Sequence, residues 1–501
     1  MQVLLMGKFI ITIDQGTTGS RVFLINREGK VIASEYEEFR QYYPKAGWVE
    51  HDGEEIWESI GKLMKRVFQK SGLNPKDADS IGITNQRETS VLWDRATHKP
   101  VYKAIVWQCR RTADFCETLK AGGHWQMVQE KTGLVIDAYF SGTKIHWILN
   151  NVPGLQDKAR NGEIAFGTMD SFLLYHLTSG VSHKTDYSNA SRTMVFNIHE
   201  KKWDQDLLNL LDIPEAILPE VQKSSSLFGH TKGLDFLPDG IPIYSMIGDQ
   251  QSALYGQLCH NPGEAKNTYG TGAFIVMNLG QKNLISRHGL VTSLACDAAG
   301  NPVYALEGSI FIAGAVIQFL RDNLKFFPQS SASEGMATST DDGEEVVFVP
   351  AFAGLGAPHW DQNARGAILN LTRGTTIEHI TKAALKSIAM QTFDVIAAME
   401  KDASFRLKAL KVDGGATANK YLMQFQAGIL NADVIIPENS ETTVLGAAYL
   451  AGLGSGFWKS PEDLKELNPP DATFHPRMKE SQRQEEMERW HDGVNRVKTQ
   501  A

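Results

Sequence analysis

Cysteine is scarce in this chain: Cys109, Cys116, Cys259 and Cys296 are the only four among 501 residues. No two of them form a C-x-x-C pair, which argues against a zinc ribbon or a thioredoxin-like redox motif. Isolated thiols suit a reducing compartment, where they act as small packing residues. The sequence also lacks an apolar run of membrane-spanning length. Its opening, M-Q-V-L-L-M-G-K, is too short for a secretory signal and has no basic flank. Positive charge is not in excess, because the formal net charge is -8. A nucleic-acid binder would carry a basic face, so that class is disfavoured. These absences leave a cytoplasmic enzyme with no membrane span and no nucleic-acid partner as the expectation.

Five hundred residues exceed one ordinary core, and two large domains follow. We place the division at 1–254 and 255–501. K-F-I-I-T-I at 8–13 is a continuous apolar run and predicts a buried strand. The polar stretch D-Q-G-T-T-G-S-R at 14–21 follows, and V-F-L-I at 22–25 resumes as a strand. After the turn N-R-E-G at 26–29, V-I-A begins a third strand. The chain therefore opens on a hairpin with a Gly/Thr/Ser tip headed by a carboxylate. In the second half N-T at 267–268, Y-G-T-G at 269–272 and A-F-I-V-M-N at 273–278 give the same strand–turn–strand order. A degenerate internal repeat implies two related domains facing each other.

Further on, Thr375 and Glu378 form a capping-box pattern, and Leu385, Ile388, Ile396 and Met399 supply one apolar helix face. L-K-A-L-K-V at 407–412 predicts a strand that ends in D-G-G-A, followed by a helix carrying Leu422, Phe425 and Ile429. Residues 441–452 read as a helix with small residues on one face. The charged stretch 478–499 predicts an exposed C-terminal helix.

The first loop has what a phosphate needs. Glycine lets backbone N–H groups approach an anion, and Thr or Ser hydroxyls add donors. Gly16, Thr17, Thr18, Gly19 and Ser20 meet both demands; Arg21 can neutralise charge, and Asp14 can hold Mg²⁺ through water. This is not a Walker loop, because the G-K-[ST] ending is absent from it. Y-G-T-G would be the matching loop of the opposite domain, and G-G-A-T-A-N at 414–419 could close over the base or ribose. For a polyol, adjacent Arg87 and Glu88 in I-T-N-Q-R-E-T offer a donor and an acceptor for vicinal hydroxyls. Asp249 in G-D-Q-Q, at the end of an apolar stretch, is placed to act as a general base. Taken singly, each has an ordinary reading: a turn, a surface pair, a helix cap.

The ordered set is far more specific. D-Q-G-T-T-G-S-R, G-I-T-N-Q-R-E-T, W-Q-C-R-R-T, Y-F-S-G-T-K, G-D-Q-Q, N-T-Y-G-T-G, P-A-F-A-G-L-G-A-P-H-W-D and V-D-G-G-A-T-A-N span about residues 9 to 470. Together they resemble the FGGY carbohydrate kinases, and most closely the members that act on glycerol. The resemblance implies an α/β fold of two RNase H-like domains, similar to actin and hexokinase, with ATP in the cleft between them. It implies that Arg87, Glu88, Tyr139, Asp249 and Gln250 bind glycerol, that Trp107 and Phe274 cover its carbons, and that Asp249 is the base. It implies a nucleotide site of Asp14, Thr17, Thr18, Gly19, Arg21, Thr271, Gly314, Gln318, Gly415 and Asn419, with Mg²⁺ near Asp14 and Asp249. A homo-oligomer, dimer or tetramer, is implied as well. The competing readings are a kinase for another polyol or a ketose, and an actin- or Hsp70-like ATPase. W-Q-C-R-R-T and Y-F-S-G-T-K have no role in the latter.

Two departures from the family pattern stand out. Gly19 occupies a position that is often Ser in the first loop, so one hydroxyl donor is lost. Residues 231–240, T-K-G-L-D-F-L-P-D-G, match neither the His motif phosphorylated by a sugar-transport phosphocarrier protein nor the Gly-Gly-Thr-Arg-like loop that binds fructose bisphosphate. His230 lies beside this segment as a surface residue. Incubation with the phosphorylated phosphocarrier should leave His230 unlabelled, and fructose bisphosphate should leave the initial rate unchanged. Labelling or inhibition would restore the corresponding control.

Overall fold

The computed structural model describes residues 8–340 and 345–499. The opening seven residues, on which the signal reading bears, lie outside that range, as do the outermost ends of both expected domains. Strand β1 (Phe9–Gln15) is buried along its whole length, as a continuous apolar run requires. It pairs antiparallel with β2 (Gly19–Asn26), from Phe9 opposite Asn26 to Gln15 opposite Ser20, which leaves Gly16–Thr18 at the hairpin tip. Strand β3 (Val31–Glu38) alternates in exposure and forms the sheet edge. Helix α1 (Gly53–Ser71) starts where the Asp52 side chain accepts the Glu54 and Glu55 N–H groups.

Strands β4 (Ala78–Asn85), β5 (Ser225–His230) and β6 (Pro242–Gly248) complete a six-stranded sheet of order β5-β6-β4-β1-β2-β3. Helix α2 (Asp249–Gly256) leaves β6 directly. Between β4 and β5 the chain builds a lobe with its own apolar cluster, which includes Leu134, Phe140, Ile145 and Met194.

The second half begins with β7 (Ala265–Tyr269), β8 (Ala273–Gly280), β9 (Val291–Cys296) and β10 (Pro302–Ile310). Helices α3 (Gly314–Asp322), α4 (Ala332–Ser339) and α5 (Ile377–Ala403) follow. Then come β11 (Ala409–Gly414), α6 (Lys420–Leu430), β12 (Asp433–Pro437), α7 (Thr442–Ser455), β13 (Pro470–Phe474) and α8 (Glu480–Val497). Their seven strands order as β9-β10-β8-β7-β11-β12-β13.

The internal repeat is one of topology. β10-β8-β7 is an antiparallel meander like β3-β2-β1. β7, β11 and β12 run parallel like β1, β4 and β6, and β13 closes the edge antiparallel as β5 does. The two Gly/Thr turns therefore occupy equivalent positions, each after the first strand of its sheet. This is the expected two-domain α/β architecture.

The halves meet through α2 and α7. Helix α7 belongs to the second half in sequence, yet Val444, Leu445 and Leu450 pack with Ile10, Phe23, Ile25 and Ile247 of the first sheet. The Ser245 and Ser225 hydroxyls donate to the Ala447 and Leu450 carbonyls at 2.7 and 2.9 Å. The expected division after residue 254 thus falls inside α2, and α7 crosses back over it. All four cysteines are buried and unbridged, as expected of packing residues.

Two local expectations change. Helix α5 is capped by Thr376, not Thr375, with the Thr376 N–H donating to His379 Nδ1 at 3.1 Å. The Thr375 hydroxyl instead accepts the Thr372 N–H. Helix α8 is not exposed all round: Glu486, Trp490, Gly493 and Val494 are buried, and the Trp490 indole donates to Asp394 at 2.8 Å.

Glycine makes the α2–α7 crossing possible. A Cβ on Gly446 would sit 1.9 Å from the Ser252 carbonyl oxygen, and one on Gly256 2.0 Å from that of Thr442. Gly446→Ala should therefore separate the helices, cost about 1–3 kcal/mol or more, and lower the denaturation midpoint measured by circular dichroism. An unchanged midpoint would show that the crossing is loosely packed.

Candidate active site

Arg87 and Glu88 stand just beyond β4. Glu88 has φ of +60°, an uncommon conformation for a residue with a long side chain, and one that tertiary contacts must hold. Those contacts are ionic. Arg87 is 3% exposed, and its Nε lies 3.1 Å from Asp249 Oδ1 and 4.0 Å from Glu88 Oε1. Asp249 is the first residue of α2, so the helix start delivers the carboxylate to the arginine. Trp107 and Tyr139, from the lobe between β4 and β5, meet edge to face with centroids 5.6 Å apart. The Trp107 indole N–H also donates to Thr17 Oγ1 at 2.9 Å, which ties the aromatic pair to the first glycine loop. Gln250 is held from the opposite sheet: Lys266 Nζ donates to its Oε1 at 2.5 Å and to Thr268 Oγ1 at 2.8 Å. Phe274 enters from that same sheet, half-buried on β8 and opposite Thr268.

The phosphate side is built around Asp14 at the end of β1. Arg21 Nε and Nη2 donate to Asp14 Oδ2 at 2.9 and 2.6 Å, and Arg21 Nη1 donates to Glu441 at 2.7 Å. Arg21 is thus shared between two carboxylates from opposite halves. The loop itself is closed by Gly16 N–H donating to the Gly19 carbonyl, with Thr17 half-buried and Thr18 exposed. At position 19 a Cβ would meet the Tyr36 ring at 2.5 Å and the Glu37 carbonyl oxygen at 2.7 Å, so packing under the loop favours glycine.

Across the cleft, the Ala313 and Ala315 N–H groups bond the Thr271 carbonyl, and Gly314 N–H bonds that of Gly270. These contacts fasten the second loop to the start of α3, on which Gln318 is exposed. Asn419 caps α6 by accepting the Leu422 N–H, and its amide reaches Ser333 of α4 at 3.3 Å. A Cβ on Gly415 would meet nothing within 4 Å, so that glycine borders open space. Gly415 is thereby suited to close approach by a ligand.

Burial raises Asp249 above the ordinary carboxylate range, while Arg87 and Lys266 pull it back and Asp14 adds to the rise. Burial also raises Asp14, against the pull of Arg21. Two carboxylates that each resist ionisation in one cleft form a site a divalent cation would relieve. Among the described residues no group of three or more His, Cys, Asp or Glu could hold a metal. The Asp14–Asp249 pair fits the donor set of Mg²⁺, which binds through one or two carboxylates with water and substrate phosphates completing its shell.

Three further residues of the site, Glu307, Arg192 and Lys266, escape a reading of motifs. Glu307 on β10 accepts from Arg87 Nη1 and Gln251 Nε2, both at 2.7 Å, and from the Ser293 hydroxyl. Arg192 donates through Nε to Glu88 Oε1 at 2.5 Å. Burial would raise Glu307, but Arg192 and Arg87 hold it at about 2. Lys266 is fully buried, which lowers it to about 8 although Asp413 and Asp249 oppose the shift. A charged residue inside an otherwise apolar strand, as in V-Y-A-L-E-G-S-I at 303–310, was the available signal.

Known proteins resemble this chain along nearly its whole length. Residues 9–256 match the N-terminal domain, and residues 265–455 the C-terminal domain, of the FGGY family of carbohydrate kinases. The chain is 58% identical over 492 residues to a glycerol kinase of Leptospira biflexa, covering 98% of this chain and 99% of that one. It is 53% identical to glycerol kinase 2 of Thermotoga maritima, with 98% of each chain covered. A glycerol kinase of Plasmodium falciparum solved with ADP superposes with a TM-score of 0.93 at 37% identity, covering 99% of both chains. A xylulose kinase of Lactobacillus acidophilus shares the fold, with a TM-score of 0.87 at 20% identity over 97% of both chains. With both domains matched in order and relatives alike from end to end, the chain belongs to the FGGY family of carbohydrate kinases.

Proposed function

We propose that this protein transfers the γ-phosphoryl group of ATP to a terminal hydroxyl of glycerol, giving sn-glycerol 3-phosphate, in the cytoplasm. The observation that carries the reading is the Arg87–Asp249 pair at 3.1 Å. It puts a raised carboxylate beside a polyol clamp, and Trp107 links that clamp to the phosphate loop through Thr17. The relatives' printed names support glycerol as acceptor, and the ADP of the Plasmodium structure supports ATP as donor.

In this mechanism Arg87, Glu88, Tyr139 and Gln250 hold the hydroxyls while Trp107 and Phe274 cover the carbons. Asp249 Oδ accepts the proton of the terminal hydroxyl as that oxygen attacks the γ-phosphorus in line. Thr17, Thr18, Gly19 and Thr271 cradle phosphates from the two facing loops, Gly314 and Gln318 line the wall, and Gly415 and Asn419 border the nucleoside. Mg²⁺, held by Asp14 and Asp249, would neutralise phosphate oxygens when bound. Closure of the two halves excludes water, the competing acceptor.

A panel of polyols and ketoses in an ADP-release assay tests the reading. Glycerol should stimulate turnover strongly, and xylulose should not. Stimulation by a ketose alone would assign the chain to another branch of the family, and acceptor-independent turnover would make it an ATPase. For the base, Asp249→Asn should lower kcat by about 10²–10⁴ while binding of both substrates persists. Because Asp249 must be ionised to accept a proton and burial raises it above 3.8, kcat/KM should fall as pH drops through an inflection above that value. Near-normal turnover in the variant would remove Asp249 from the role.

A further inference from the structure

Glu307 sits in the wrong half of the molecule for the residues it binds. It comes from β10 of the second sheet, opposite Val276 and Val291 in the ladders. Its partners Arg87, Arg192 and Gln251 all belong to the first half. Both carboxylate oxygens are committed. Oε1 accepts from the Ser293 hydroxyl and the Gln251 amide, while Oε2 accepts from Arg87 at 2.7 Å and lies 3.3 Å from Arg192 Nη1. At 6% exposure and with these donors around it, the carboxylate faces protein and not ligand.

Arg192, in turn, is 2% exposed and reaches two other members of the polyol set. Its Nε donates to Glu88 Oε1 at 2.5 Å, and its guanidinium lies over the Tyr139 ring at 5.3 Å and the Phe140 ring at 5.0 Å. Two guanidiniums confined to one desolvated pocket repel each other unless an anion lies between them. Glu307 is that anion. Without it Arg87 keeps Asp249 and Glu88 as its charged neighbours and is drawn toward both.

We infer that Glu307 and Arg192 are positioning residues for the acceptor: Glu307 fixes Arg87 directly, and fixes Glu88 and Tyr139 through Arg192, so that the polyol clamp is set only while the second sheet is docked against the first. This rests on the proposed acceptor site. It gives the polyol site a dependence on the other half of the molecule that does not run through the nucleotide.

The test is Glu307→Gln, which keeps shape and removes charge. The glycerol KM should rise by about tenfold or more, and the ATP KM should stay within about twofold. Ser293→Ala, which removes one donor to Oε1 without changing charge, should move the glycerol KM in the same direction by a smaller factor. It also keeps the inference testable if Glu307→Gln does not fold. A glycerol KM unchanged in the folded variants would overturn the inference. So would a parallel rise of both KM values with a lowered melting temperature, the mark of a merely structural role. Failure of the functional reading looks different: the unsubstituted protein would then show no glycerol-dependent ADP release.

Discussion

The close crossing of α2 and α7 is the constraint from which the rest of the architecture follows. Ser252 and Gly446 approach until backbone meets backbone, and the Ser252 hydroxyl donates to the Thr443 carbonyl at 2.6 Å. One of these helices begins with Asp249, and the other lies directly after Glu441, the second carboxylate on Arg21. Fixing the crossing therefore fixes Asp249 relative to the Glu441–Arg21–Asp14 ion pairs. Each helix is short and has little amphipathic character of its own, because it is buried from both directions. A bulkier side chain at the crossing would displace Asp249 and Glu441 with their helices, since close-packed interiors transmit such shifts.

Around that crossing the protein buries an unusual amount of charge: Asp14, Arg87, Glu88, Arg192, Lys266 and Glu307 are all under a tenth exposed. Desolvation costs several kcal/mol per ion, and partners recover that only when the geometry is good. The partners here are drawn from different elements. Arg87 is bonded to a residue from β10 and paired with one from α2, and Lys266 on β7 holds Gln250 of α2. Each link joins elements that could otherwise move separately, so burying the charges fixes orientation more than it adds stability.

The parts legible in sequence were those whose chemistry is local. The loop 14–21 and its counterpart at 269–272 carry their glycines and hydroxyls in one short stretch, and the strands around them are plain apolar runs. The repeat was visible only as two similar turns, because strand order is set by long-range pairing that sequence does not print. Glu307 and Arg192 were missed for the same reason: their meaning lies in partners more than a hundred residues away. The cap of α5 slipped by one residue because Thr375 and Thr376 are chemically equivalent, and only the backbone path decides between them. For α8, Met487, Trp490 and Val494 recur at helical spacing and mark a docking face, but the density of charge around them hid it.

The aromatic pair and the buried ions hold one another in place. Trp107 and Tyr139 meet edge to face, and Arg192 lies over the tyrosine while bonded to Glu88, so ring, guanidinium and carboxylate constrain each other. The same bond holds Glu88 at a positive φ that it would otherwise leave. Disturbing the aromatic pair therefore disturbs the strained turn as well.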